Sequence, residues 1–157
     1  MKRPSRAKII QRRAVFLAAL RSGKYKQCFG PLRETTPDGG AAFCALGLLC
    51  HIHDKRAWHN KGGFWYYGQS TCSGYPPQYV LTACGIAKRV TGDMITWNDR
   101  HARTFSEIAD LLEETWDTAE RCRPEETLDA LTTEPSEHVT VHITHPQIPL
   151  GGGRTEA

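Results

Sequence analysis

The longest uninterrupted apolar run in the chain is Phe43-Cys44-Ala45-Leu46-Gly47-Leu48-Leu49-Cys50. The turn signal Pro37-Asp38-Gly39-Gly40 precedes it, and the polar cluster His51-Ile52-His53-Asp54 follows. No polar position marks a solvent face, so the run predicts a helix buried on most sides that opens at or just before Cys44. Gly47, one turn on, leaves room for another backbone to approach closely. The N-terminal segment has a different pattern. Ile10, Ala14 and Leu17 fall on one stripe with Ile9, Phe16 and Leu20 beside it, while Lys8, Arg12 and Arg13 occupy the other face. Ser5 is placed to cap that helix, and Ser22-Gly23 is placed to stop it after about Arg21. From Tyr25 to Thr35 the chain reads as extended, because Gly30-Pro31 breaks any helix.

Farther on, Phe64 to Tyr67 predicts a short strand after Gly62-Gly63. Pro76-Pro77 opens a short helix through about Ala83, ended by Gly85. Met94 to Trp97 reads as a short extended piece leading into Asn98-Asp99. Thr104-Phe105-Ser106-Glu107 is a capping box, with Thr104 as N-cap. It starts a helix whose apolar stripe is Phe105, Ile108, Leu111, Leu112 and Thr115, ending near Thr118. The pattern predicts an α+β domain over residues 1–119, with about four helices packed against a few short strands. Residues 120–137 read as an acidic linker. Residues 138–157 read as a tail, with a strand at 138–144, where Val139, Val141 and Ile143 alternate with polar residues, and a disordered glycine-rich end.

A length of 157 residues suits one domain plus a tail. The net charge is only +3, but its distribution is uneven. Residues 1–33 hold ten Lys or Arg and no acid; residues 104–137 hold eleven Asp or Glu against Arg121 and Arg123. Such ends can pair within the fold or face separate partners. The six cysteines include no C-x-x-C pair, and no secretory-type apolar region follows the basic N-terminus. The expectation is free, mostly buried thiols in a cytoplasmic protein, with no metal and no cofactor. No apolar stretch approaches the roughly 18–20 residues that span a bilayer, so no membrane partner is expected. P-loop, dinucleotide-binding, G-x-S-x-G and H-E-x-x-H patterns are all absent from the sequence.

Several blocks occur together: Arg21-Ser22-Gly23-Lys24-Tyr25, the run from Phe43 to Cys50, Trp97-Asn98-Asp99, and Thr104-Phe105-Ser106-Glu107-Ile108-Ala109-Asp110-Leu111-Leu112-Glu113. In this order the set resembles a family of uncharacterised small proteins from phages and actinobacteria. That family's usual pattern is C-x-L-G-x-L-C-D, then L-N-D, then S-F-x-E-I-A-D-x-I-E. The resemblance covers about residues 15–116. His51 stands where the pattern has an acid, and Trp97 stands where it has Leu. The resemblance implies a phage context and carries over no activity, cofactor or site residue.

Three chemistries compete for these residues. In the first, the chain is an accessory protein in the host cytoplasm that binds a host protein or a small ligand, with a counter-defence role by analogy of context. Asn98 and Asp99 then hold the ligand at a pocket walled by Trp65, Tyr67 and Trp97. In the second, Cys44 is the nucleophile of a cysteine-dependent hydrolase or transferase. His51, His53, His59 or His101 is its base, with Asn98 or Asp99 as orienter. In the third, Lys8, Arg12 and Arg13 contact DNA. A bland alternative stands beside each: Asn98-Asp99 as turn chemistry, Cys44 as packing, and the basic stripe as a solvated face.

Overall fold

The structure is a computed structural model that describes residues 4–121. The linker and tail expected beyond residue 121, with the strand at 138–144, lie outside the described residues. In chain order the elements are α1 (Arg6–Arg21), β1 (Lys26–Gln27), β2 (Arg33–Thr35), β3 (Ala41–Phe43), α2 (Ala45–His53), β4 (Trp58–Lys61), β5 (Phe64–Tyr67), α3 (Gln78–Ala83), α4 (Lys88–Ile95), a π-helical turn (Thr96–Arg100) and α5 (Phe105–Arg121). This is a small α+β fold with two small sheets. The first has the order β1-β3-β2, with β1 parallel and β2 antiparallel to β3; the second is the β4–β5 hairpin.

Helix α2 is the centre. Every residue from Ala42 to Cys50 is buried, and α1, α3, α4 and β3 all pack against α2. An apolar run without a polar face has this outcome because each side must find a cover. Gly47 allows the tightest approach: a Cβ built there would lie 1.6 Å from the Leu32 carbonyl oxygen. Phe16 and Leu20 of α1, Met94 of α4, and Ile108 and Leu112 of α5 belong to the same buried core.

Local signals fixed several element ends. The Ser5 hydroxyl accepts from the Lys8 N–H at 3.5 Å, and Gly23 takes the left-handed conformation after α1. The capping box forms in both directions: Thr104 N–H donates to Glu107 Oε2 at 2.8 Å, and Glu107 N–H to Thr104 Oγ1 at 3.3 Å. Helix α5 then continues past Thr118 to Arg121, across the boundary expected at 119.

One expectation needs correction. Residues 94–97 are not extended. Met94 and Ile95 end α4, and Thr96 and Trp97 begin the π turn. Val90 and Met94, one turn apart, bury the inner face of α4, so tertiary packing overrides the β-branched residues around them. The strand β3, just ahead of α2, was hidden inside what reads as the approach to a helix. The opposite charges of the two ends do meet within the fold: Arg21 reaches Asp110 and Glu113, each at 2.6 Å, and Arg6 lies 3.5 Å from Glu120. No helix among the described residues is long and apolar enough to cross a membrane.

Candidate functional site

The π turn is closed by the His101 N–H donating to the Thr96 carbonyl at 3.0 Å. It is followed by Ala102 at φ 47°, a left-handed conformation that a residue with a Cβ rarely takes. Within this turn Asn98 is buried and all of its hydrogen-bonding capacity is used. Its Oδ1 accepts from Gln27 Nε2 at 2.9 Å and from the Ala45 N–H at 3.3 Å. Its Nδ2 donates to the Cys28 carbonyl at 3.0 Å and to Asp99 Oδ1 at 2.7 Å. One side chain thus ties the end of β1, the first residue of α2 and the π turn together. Asn98 has nothing left for a ligand. Asp99 is exposed, and its Oδ1 also accepts the Gly30 N–H at 3.0 Å.

Cys44 is the N-cap of α2. Its Sγ accepts from the Gly47 N–H at 3.4 Å, and its own N–H donates to the Leu32 carbonyl at 3.3 Å. Burial pushes its thiol up to about 11, and the Gly47 N–H only partly offsets this. A nucleophile needs the opposite shift. The candidate bases are engaged elsewhere: His53 Nδ1 lies 2.9 Å from the Tyr67 hydroxyl, His51 packs 4.6 Å from Phe43, and His59 stacks on Tyr66. His101 is exposed at the end of the π turn. Among the described residues no group of three or more His, Cys, Asp or Glu is placed to hold a metal.

Cys44, Asn98 and Asp99 do line one cavity, with Gly30, Leu46 and Met94. Its volume is about 30 Å³, room for about one water. Trp65, Tyr67 and Trp97 do not line it. Tyr67 is fully buried, and Trp97 packs half-buried against the core.

Trp65 belongs to a different place. Its Nε1 donates to Thr35 Oγ1 at 3.0 Å, and its ring carries the guanidinium of Arg33 at 3.7 Å from the centroid. Trp58 and Phe43 flank the same guanidinium at 5.6 and 5.8 Å. Arg33 lines a groove of about 590 Å³ between β2, the tip of the β4–β5 hairpin and residues 73–74, with Gly30, Glu34 and Phe64 among its walls. Gly30 and Gly74 border both this groove and the small cavity, so Asp99, through the Gly30 N–H, holds one wall of the groove in place. Sequence reading overlooked Arg33. The available signal was an arginine at a strand position beside Gly30-Pro31, two residues from Thr35 on the same strand face.

The basic stripe of α1 is largely committed. Arg12 Nη1 donates to the Ala83 carbonyl at 3.0 Å, and Arg13 donates to the carbonyls of Cys84 and Gly85 at 3.1 and 2.7 Å. These are open carbonyls at the end of α3, where a cation is favoured. Arg13 also lies over the Trp116 ring at 4.5 Å. Lys8 is exposed.

The chain belongs to a family described as a domain of unknown function, DUF8296, whose model matches residues 8–116. No curated protein and no solved structure matches it.

Proposed function

We propose that this member of the DUF8296 family is a non-catalytic binding module that takes a segment of a host protein in the groove beside β2. The observation that carries the reading is the groove itself. It is of ligand-pocket size, about 590 Å³, with the apolar Phe64 side chain 60% exposed on its wall and Arg33 held half-buried beside it. The raised thiol of Cys44 counts against covalent catalysis, and the engagement of Arg12 and Arg13 with α3 counts against a DNA-binding face on α1. The resemblance to small phage proteins supplies the setting, an accessory protein directed at the host and acting against its defence.

Affinity purification from host lysate, followed by mass spectrometry, tests the reading with three full-length chains. Wild type and Cys44→Ser are expected to recover the same partner, since serine also caps a helix. Phe64→Ser, a surface change of little consequence for stability, is expected to lose it. A partner retained by Phe64→Ser, or lost by Cys44→Ser in a folded chain, overturns the groove as the binding site.

A further inference from the structure

We infer that the groove is an anion receptor, in which Arg33 takes a carboxylate or phosphate group of the bound partner. This rests on the groove being the binding site. The argument starts from what a guanidinium needs. Its two faces can lie against aromatic rings, but its N–H donors point outward in the plane and require acceptors. Trp65 lies against the guanidinium at 3.7 Å, with Trp58 and Phe43 farther out at 5.6 and 5.8 Å. None of these rings supplies an acceptor in the plane. The Nε of Arg33 is buried and has no hydrogen-bond partner among the described residues, and no described carboxylate forms an ion pair with the side chain. A cation partly withdrawn from water in this way is stabilised by an incoming anion, and the planar fork suits the two oxygens of a carboxylate or phosphate.

The position is also pre-set. Thr35 Oγ1 holds the Trp65 indole through its Nε1, and the antiparallel pairing of Arg33 with Phe43 fixes the strand beneath the guanidinium. Little side-chain freedom remains to be lost on binding. The charge that opposes the inference is Glu34, which lines the same groove. It forms no ion pair with Arg33 among the described residues. It weakens anion binding without occupying the Arg33 donors, and this makes it a useful probe.

Isothermal titration of the full-length chain at low ionic strength with benzoate, phenyl phosphate and neutral benzamide tests the inference. At least one anion is expected to bind saturably, with benzamide weaker by about tenfold or more. The tighter of the two anions identifies the source as carboxylate or phosphate. Arg33→Met, which keeps the apolar stem, is expected to weaken anion binding by about tenfold or more. Glu34→Gln is an exposed change that leaves the aromatic stack alone, and it is expected to tighten binding by about two- to fivefold. Benzamide binding as tightly as the anions, indifference to Glu34→Gln, or no saturation of either anion by about 10 mM overturns the receptor. Partner capture separates this failure from that of the groove reading. Loss with Phe64→Ser but not with Arg33→Met sinks the receptor alone, whereas retention by both variants sinks the groove.

Discussion

The side-chain oxygen of Asn98 accepts the backbone N–H of Ala45 at 3.3 Å, while its amide donates to the Cys28 carbonyl at 3.0 Å. The first free donor of α2 and a carbonyl just past β1 are therefore served by one buried residue. Asn98→Ala strands both backbone groups away from water. Each buried group left unmatched costs about 1–3 kcal/mol, so a loss of about 2–6 kcal/mol is expected from urea denaturation. A loss below about 0.5 kcal/mol, of the size typical of surface changes, would contradict the role assigned to this residue.

How far this arrangement was legible in the sequence differs from one piece to the next. The ends of α1 and the start of α5 are written in local chemistry, a capping serine, a Ser-Gly stop and a capping box, so neighbours three residues apart suffice to place them. The α2 core is equally plain, since an apolar run admits one environment. The Asn98-Asp99 pair was visible as a polar block, but its partners Gln27, Cys28 and Gly30 are about seventy residues away. No local pattern encodes such a pairing. Arg33 is harder still: what sets it apart is the convergence of Phe43, Trp58 and Trp65 from three different strands.

Gly47→Ala is expected to be among the most damaging single-methyl changes in the protein. The added Cβ would meet the Leu32 carbonyl, a backbone atom that no rotamer change can move, and φ strain plays no part because Gly47 is helical. Overpacking of this kind costs about 1–3 kcal/mol or more. Alanine normally stabilises a helix by about 1 kcal/mol over glycine, so even the sign of the effect is diagnostic. Thermal denaturation showing Gly47→Ala as stable as wild type would mean that α2 does not pack on the β2 approach as described.

Thiol reactivity should follow burial. Cys72 is exposed, whereas Cys28, Cys44, Cys50 and Cys84 are buried. Burial raises all four of the latter, Cys28 to about 12 and Cys44 to about 11. At neutral pH almost none of each is thiolate, the form that reacts. Brief iodoacetamide treatment of native protein and peptide mapping should show Cys72 modified and these four protected until the chain is unfolded. Preferential labelling of Cys44 in the native state would revive it as a nucleophile.

His51 should make the protein less stable in mild acid. Its ring packs against Phe43 and edge-on to Tyr25, and its Nδ1 is buried without a partner among the described residues. Burial first, then the nearby charges of Arg33 and Lys55, hold its pKa below the ordinary 6.5. The folded state therefore binds a proton less readily than the unfolded state. Stability from this group is intact above about pH 6.5 and falls as the pH drops below it. His53 is lowered as well, by burial and by Arg12, and adds in the same direction. Melting temperature is expected to decline between about pH 7.5 and pH 5.5, a window in which His changes charge. The carboxylates of Asp38 and Glu107, held below their usual range by Lys26 and by the Thr104 N–H, stay ionised there. His51→Phe keeps the aromatic contact and removes the titration, so its decline should be shallower, and adding His53→Gln should flatten it further. An unchanged slope in His51→Phe would show that the ring is solvated and free to charge where it sits.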